Sequence, residues 1–495
     1  MNNLQKVAKN VSVLLVSQVI TYFFLFLTAM YSARYLGAAN FGILSLATAI
    51  TSFFSVFGDL GLQTLAIREI AKDKSSAPRY IANVNLMRLI FSSAAFILII
   101  VFTHIMGYPQ QTIHVVYILW SATVIQLFSL LYYSVFQANE RMELVAAGQI
   151  TNSLVTLAGV LLAINFNLDL IGFAFVYVIS NTVVLLYCIA LTLPFPHTSF
   201  RYYTAGVFRF DKVFWKSTLT ESWPFALQSF FVMVYYYIDT IILSKTSGDE
   251  VVGWYNAAYK LSSVPLFINV AFNATLLPLM SRLSISSPEI LKTTFSRYFK
   301  YMMLLSIPIG VGTVMLSGRF ITQIYGPGFT AATTALQVLI WATVFIFLNG
   351  CYTPLLYSLN KQVLGTKITL IAAIFNLVLN IILIPMFSYL AASYVKSITE
   401  LLVLVIAYPL TLKLGYALSL KSVGMDFLKI ALSSAIMGVF IWYFTDLNLL
   451  LLVPAAALIY FAASFLLRFY DRHDIDSVMQ IISLVTGRNS ERGAQ

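Results

Sequence analysis

The sequence predicts an all-α polytopic membrane protein with about fourteen transmembrane helices. Hydrophobic residues make up 60% of the 495 residues, charged residues make up only 10%, and the mean hydropathy is +0.85. Soluble domains are about one quarter charged, so a water-soluble fold could not bury this much apolar surface. The apolar runs are continuous over about 20 residues, as a membrane-crossing helix requires, whereas the strands of membrane barrels are shorter and alternate.

Fourteen apolar runs follow one another along the chain, separated by short polar segments. In order, they are 11–33, 41–63, 84–106, 113–136, 144–164, 170–193, 218–243, 253–280, 299–321, 331–357, 364–385, 389–411, 427–445 and 449–467. The first run follows a basic N-terminus, as the apolar part of a signal sequence does. It is too long for that part, so we expect it to remain as the first helix.

The distribution of lysine and arginine supports this count and gives an orientation. When the N-terminus is placed inside and the runs alternate, only Arg34, Lys245 and Arg319 fall in outside segments, and Lys260 and Lys396 lie within runs. All other lysines and arginines fall inside. Cytoplasmic loops carry such an excess of positive charge. We therefore predict a multi-pass protein of the plasma membrane with both termini in the cytoplasm.

The net charge of +11 is explained by these cytoplasmic loops, and we expect no nucleic-acid partner. Cys188 and Cys351 each lie within an apolar run, which indicates neither a disulfide nor a metal site. The phosphate-binding loop that direct use of ATP would require is absent from the sequence. We therefore expect no cofactor and no metal, and coupling to H⁺ or Na⁺ stays open.

Two parts of the chain repeat the same pattern. Gly253 in LSKTSGDEVVGWYNAAYK (243–260) corresponds to Gly42 in SARYLGAANFGILSLATA (32–49), and Gln228 corresponds to Gln18. The predicted domains are a first six-helix bundle (1–193), a cytoplasmic linker (194–217), a second six-helix bundle (218–411), two further helices (427–467) and a cytoplasmic tail (468–495). Because six is even, both copies enter the membrane from the same side. In transporters, parallel repeats of this kind enclose the substrate path between them.

Four stretches resemble one family of membrane proteins. They are SQVITYFFLFLTAMYSARYLGAANFGILSLATA (17–49), FGDLGLQTLAIREIA (57–71), IDTIILSKTSGDEVVGWYNAAYKL (238–261) and IYGPGFTAATTALQVL (324–339). They resemble the Wzx-type polysaccharide-unit flippases, in the superfamily of the multidrug and toxin extrusion antiporters and the lipid II flippase. The resemblance implies two bundles forming a V around a central cavity. It also implies alternating-access export of an oligosaccharide linked to undecaprenyl or dolichol (pyro)phosphate.

Such a substrate would set demands on the cavity. The head group must cross a membrane core in which even one ion costs at least about 2.5–3.5 kcal/mol. We therefore expect a wet cavity whose cationic residues bind the phosphate. Membrane lipids are the other expected partner, and polysaccharide assembly proteins stay open.

Asp239 and Lys260 are the sharpest pair of candidates. They lie at similar depth on helices joined by a short loop, with Lys260 as the expected anion ligand and Asp239 as its ion-pair partner or as a cation or proton site. Gln228, Tyr235 and Asp239 share one helix face, and Asn256 lies one turn from Lys260. The alternative is an interhelical salt bridge without a role in transport.

Lys396 and Glu400 lie one turn apart near mid-membrane. Lys396 is expected to meet phosphate and Glu400 to titrate; the alternative is a pair that neutralises itself. Asp59 and Arg88 could link and close an inner gate, although for Arg88 we favour snorkelling to the membrane interface.

Further candidates for substrate binding are Gln18 and Gln228 for the sugar and Arg34 for the pyrophosphate at the exit. Their alternatives are interhelical hydrogen bonds and, for Arg34, the anchoring of a helix end.

Two other functions compete with the flippase. A multidrug or small-molecule antiporter coupled to a cation would favour acidic and aromatic groups, so the lysines within the runs argue against it. A membrane glycosyltransferase or polymerase would need a substantial outer loop or a catalytic domain, and the predicted outer segments are short. We therefore expect no enzymatic activity.

Overall fold

The computed structural model describes residues 3–192 and 211–470, with side chains from residue 13 onward. Fifteen α-helices and two short 3₁₀ turns make up these ranges, and they contain no strand. The helices are α1 Asn3–Asp59, α2 Leu62–Lys72, α3 Ala77–Ile105, α4 Gln110–Ala138, α5 Met142–Asn165, α6 Leu170–Thr192, α7 Lys212–Thr246, α8 Asp249–Ser263, α9 Leu266–Ser286, α10 Pro288–Ile324, α11 Ala332–Gly350, α12 Tyr352–Ser358, α13 Gln362–Lys413, α14 Leu420–Tyr443 and α15 Leu449–Leu466. The all-α class is therefore confirmed.

The predicted count of about fourteen helices is also confirmed, although several boundaries differ. Twelve helical stretches in the described ranges are long and apolar enough to cross a membrane. Two of them, α1 and α13, each hold two predicted spans because a sharp kink divides them, at Gly37 (φ 72°) and at Ser388 (φ 56°). The short segment between the first two predicted spans forms no separate loop, because α1 changes direction at one residue, Gly37.

Two predicted spans are interrupted. The span 253–280 is divided between α8 and α9 at Val264 and Pro265, and the span 331–357 between α11 and α12 at Cys351. Proline at the start of α9 removes a backbone donor, which explains the break there. These interruptions place the polar residues of α9 and α12 beside a cavity described below.

The predicted linker 194–217 lies mostly outside the described residues, and so does the tail beyond residue 470. Within the described part, α7 begins at Lys212, earlier than the predicted start at residue 218. The Asp211 side chain caps this helix by accepting a hydrogen bond from the Phe214 amide over 3.0 Å. Such a cap satisfies a backbone donor that the first turn leaves free.

The second part of α1 crosses α8 in close backbone contact. A β-carbon on Gly42 would lie 1.8 Å from the carbonyl oxygen of Asp249, and one on Gly253 would lie 2.0 Å from that of Ala38. The two glycines hold equivalent places in the sequence pattern, and each meets the first turn of the other helix. A two-fold relation between the helices would produce such a reciprocal contact. The bounds of the two repeats stay a prediction.

Candidate functional site

A cavity of about 720 Å³ lies among α7, α9, α11, α12 and α13. Aromatic and aliphatic side chains form most of its wall. Its polar lining includes Gln228, Tyr235, Asn269, Asn273, Asn349, Thr353, Thr369 and Glu400. All of these residues follow the predicted linker, so the cavity lies within the second half of the chain. It joins the sequence-predicted Gln228, Tyr235 and Glu400 to three asparagines that sequence reasoning missed.

Glu400 is the charged group of this wall, and it is only 7% exposed. Its carboxylate accepts a hydrogen bond from the Tyr235 hydroxyl and another from the Asn349 amide, the latter over 2.8 Å. A buried charge is stable in a membrane protein when such groups satisfy it. Glu400 is therefore held in place from α7 and α11 while it contacts the cavity.

Lys396 lies behind this wall and is 1% exposed. Its ammonium donates to the Tyr235 carbonyl oxygen over 2.8 Å and lies 3.7 Å from the centre of the Tyr235 ring. The rings of Tyr236 and Tyr259 are 5.0 and 5.5 Å away. Cation–π contacts of this kind stabilise an ammonium that has lost its water. In this conformation Lys396 does not line the cavity.

The alternative of a Lys396–Glu400 pair that neutralises itself is wrong, because Tyr235 separates the two groups. The expected roles of Lys396 in phosphate binding and of Glu400 in titration stay predictions. The Tyr235 hydroxyl binds Glu400 while its carbonyl oxygen and ring hold Lys396. No ion pair joins these two residues in the described ranges. Lys396 is still within the electrostatic reach of both Asp239 and Glu400.

The predicted ion pair of Asp239 with Lys260 is also wrong. Asp239 is 2% exposed and accepts from the Tyr255 hydroxyl over 2.6 Å and from the Thr240 amide over 2.7 Å. The Lys260 ammonium instead lies 4.6 Å from the centre of the Phe41 ring on α1. Lys260 thus faces the first half of the chain, whereas Asp239 faces the buried part of α8.

Gln18 and Asn256 lie away from the cavity. Gln18 is partly exposed on α1, and no side-chain hydrogen bond of Gln18 occurs among the described residues. Asn256 is 8% exposed and donates to Thr240 and to the Val252 carbonyl. Its place inside α8 fits an interhelical role, and its expected contact with substrate stays a prediction.

Asp59 and Arg88 form the ion pair that the sequence suggested, and Arg88 also donates to the Leu127 carbonyl. Arg88 is fully buried, so the favoured expectation of snorkelling is wrong. The pair joins α1, α3 and α4, all of which belong to the first half. It therefore fastens one bundle internally, and a gating role for it stays a prediction.

The three cations of the predicted outer side all bind backbone carbonyls. Arg34 donates to Gln323 and Ile324 at the end of α10, and Lys245 donates to Met106 after α3. Arg319 donates to Thr445 and Leu447. Positive side chains near the carbonyl end of a helix are stabilising. In this conformation Arg34 therefore holds two halves of the chain together, and its binding of pyrophosphate stays a prediction.

On the predicted inner side, two ion pairs connect the halves. Arg68 on α2 binds Glu221 on α7, and Arg79 on α3 binds Asp211. Sequence reasoning had assigned these cations only to the cytoplasmic surface. Their partners lie far along the chain, so no local spacing pointed to them. The asparagines of the cavity did carry a signal, since polar residues within apolar runs are functional candidates.

Twelve helical stretches in the described ranges that could cross a membrane, together with a cavity among the helices of the second half and buried charges beside it, define a multi-pass helical membrane protein. The chain belongs to the polysaccharide biosynthesis protein family, whose model matches residues 7–284. A second family model, MatE, matches residues 224–382.

Two curated relatives match most of the chain. The probable low-salt glycan biosynthesis flippase Agl15 of Haloferax volcanii is 23% identical over 76% of this chain and 77% of its own length. A putative O-antigen transporter of Shigella dysenteriae is 24% identical over 74% of this chain and 91% of its own. The solved structure of the lipid II flippase MurJ in an inward closed conformation shares the fold. It has a TM-score of 0.74 and 15% identity, and the match covers 91% of this chain and 97% of that one.

Proposed function

We propose that this chain is a flippase. It carries an oligosaccharide linked to undecaprenyl or dolichol (pyro)phosphate from the inner to the outer leaflet of the plasma membrane by alternating access. One observation carries the proposal: relatives that match about three quarters of the chain are named as a glycan biosynthesis flippase and an O-antigen transporter. The shared fold with the lipid II flippase supports it.

The contacts between the halves fit alternating access. Lys260 and Phe41, and the glycine crossing of α1 with α8, join the halves on the predicted outer side. Separating them would free the Lys260 ammonium to meet a phosphate. The N- and C-termini are cytoplasmic in this proposal, as the excess of inside cations favours.

In this proposal the carrier acts without a cofactor and without enzymatic chemistry, and coupling to H⁺ or Na⁺ stays open. Asp239 and Glu400 are the buried carboxylates that could exchange such an ion, and Lys396 lies within reach of both. Among the described residues no cluster of three or more metal-ligating side chains occurs, so the ion would share its ligands with amide and hydroxyl groups.

A multidrug antiporter coupled to a cation is the second candidate, and one observation favours it. The cavity wall combines the acidic Glu400 with tyrosines such as Tyr235 and Tyr236, a combination that suits organic cations. The MatE family match within the second half points the same way.

Deletion of the gene tests the two functions against each other. Under the flippase proposal, surface glycan is lost and lipid-linked units accumulate on the inner leaflet. The wild-type gene should restore export in the deletion strain. The Lys260→Glu gene should not restore it, because the reversed charge repels phosphate. This variant should still fold and reach the membrane. Lys292→Glu, an exposed residue on α10, is the matched control and should restore export. Intact export together with reduced drug tolerance would establish the antiporter instead.

A further inference from the structure

We propose that the cavity of the second half is a glycan subsite. It takes a part of the substrate that is rich in hydrogen-bond donors and carries no negative charge, such as neutral or amine-bearing sugar units, while the phosphate binds elsewhere. This inference rests on the proposed flippase function and adds which part of the substrate the cavity holds. It also departs from the sequence-based expectation of a cationic cavity.

The charge of the wall is the first argument. The described lining contains no lysine or arginine, and Glu400 is its single carboxylate. Lys396 is turned away, held by the carbonyl and the ring of Tyr235. A phosphate placed here would meet a like charge in a medium that screens poorly, which is unfavourable. An ammonium or a hydroxyl donor would be attracted.

The hydrogen-bonding capacity of the wall is the second argument. Asn349 gives its amide hydrogens to Glu400, and Asn273 gives its amide hydrogens to Asn269. The side-chain oxygens of Asn273 and Asn349 have no partner among the described residues. Buried polar atoms are rarely left unpaired in native structures. The unpaired capacity beside the cavity is therefore that of acceptors, which are shielded in this conformation. When the side chains turn toward the cavity, hydroxyl and amine groups of a sugar can pair with them, and phosphate oxygens cannot.

The size and shape of the cavity are the third argument. Its volume of about 720 Å³ falls within the range of about 300–1,000 Å³ that is typical of ligand sites. Tyr235, Tyr236, Tyr352 and Tyr357 contribute rings to the wall. Flat rings can cover the apolar C–H faces of sugars, while the amides and Glu400 bind the polar edges.

Binding to the purified full-length protein tests the subsite with defined probes. The probes are a glucosamine trisaccharide, its N-acetylated form, inorganic pyrophosphate and tetraphenylphosphonium. We expect both trisaccharides to bind the wild type. Glu400→Gln should weaken the amine-bearing form about tenfold and the neutral form about threefold or less, because only the former carries a charge. Pyrophosphate binding should stay within twofold.

A variant that fills the cavity with a bulky side chain tests the subsite even if Glu400→Gln does not fold. Thr369 lines the cavity, so Thr369→Trp should abolish binding of both trisaccharides. Thr275→Trp is the matched control, because Thr275 is exposed on α9 outside the cavity and makes the same type of hydrogen bond to its own helix. This control should bind as the wild type does.

Three outcomes would overturn the subsite: neither trisaccharide binds the wild type, Thr369→Trp removes pyrophosphate binding, or it removes only tetraphenylphosphonium binding. None of these outcomes changes the export defect expected in the deletion strain, which tests the flippase proposal separately. Conversely, intact export in that strain refutes the flippase whatever the trisaccharides do. Failure of the subsite and failure of the proposed function are thus separate results.

Discussion

Tyr235 connects the cavity to the buried ammonium through one residue. Its hydroxyl donates to Glu400, which contacts the cavity, while its carbonyl and ring hold Lys396 behind the wall. A ligand that binds the Glu400 carboxylate therefore contacts a partner of Tyr235, and Tyr235 is the residue that positions Lys396. This arrangement gives the structure a short physical path between substrate and the buried charges.

Tyr235→Phe isolates one side of that connection. The ring and the carbonyl stay, so Lys396 keeps its contacts, but a buried carboxylate loses a donor. Leaving such a group short of a partner costs about 1–3 kcal/mol, and we expect a lower thermal unfolding temperature in detergent. Tyr236→Phe is the control, because the Tyr236 ring is 44% exposed and its hydroxyl makes no hydrogen bond in the described ranges. Equal unfolding temperatures for the two variants would contradict the bond to Glu400.

The sequence identified the buried charges but assigned some wrong partners. Spacing along a helix gives the depth of a side chain, which is why Asp239 and Lys260 were expected to meet. It does not give the rotation of two helices about their axes. Asp239 faces Tyr255 and Lys260 faces Phe41, and only the packed structure decides between such neighbours.

At the scale of the elements, the crossing of α1 with α8 depends on two glycines. Either position lacks room for one more carbon, since backbone carbonyls of the other helix lie within about 2 Å of it. Close backbone approach at small residues is a common basis of helix association in membranes. This crossing holds the two halves together on the predicted outer side.

Gly42→Ala should therefore separate α1 from α8 and favour an outward-open state. We expect a longer distance between labels placed near residues 40 and 250, measured by electron spin resonance. Gly312→Ala is the control, because its β-carbon would make an ordinary 3.6 Å contact with Met437. Unchanged distances in Gly42→Ala would show that the crossing does not hold the outer side closed.

The helices themselves were largely predictable, because a membrane imposes long apolar runs. The kinks were not. A small-residue segment between two apolar runs has the same composition whether the chain forms a loop or bends at one residue, as it does at Gly37. The repeated sequence pattern also predicted that Gly42 and Gly253 hold equivalent positions, but it did not predict that the two glycines lie against each other.

At the scale of the whole molecule, the two sides differ in their charged contacts between the halves. Backbone contacts and carbonyl-bound cations join the halves on the predicted outer side. On the inner side, the exposed ion pairs Arg68–Glu221 and Arg79–Asp211 join them, together with a close approach of Gly61 to the backbone of α7. Exposed ion pairs contribute only about 0–1 kcal/mol each and weaken in salt. The ion pairs therefore give the inner side a part of its closure that responds to salt, while the contact of Gly61 with α7 does not depend on charge.

The sensitivity of the inner side to salt and pH tests this difference. The pKa of Asp211 lies below its usual 3.8, first because the Phe214 amide donates to the carboxylate and then because Arg79 does. Because these contacts lower the pKa, they are fully present when the pH is above the ordinary pKa and the carboxylate is ionised. They are lost as the pH falls through the lowered pKa and the carboxylate gains its proton. We expect labels at residues 74 and 216 to keep one distance from pH 5 to 8. They should separate only when the pH falls below the lowered pKa of Asp211, or in about 1 M salt.

Asp211→Asn distinguishes the ion pair of Asp211 with Arg79 from the capping of α7 by the same side chain. Asparagine keeps an oxygen that can cap α7, but it cannot form an ion pair with Arg79. The variant should show the wider distance already at low salt and neutral pH, while the outer-side distance stays that of the wild type. If Asp211→Asn and high salt both leave the inner distance unchanged, ion pairs do not hold that side. The apolar contacts of α7 with α3, such as Tyr80 against Phe214 at 5.0 Å, would then be what closes it.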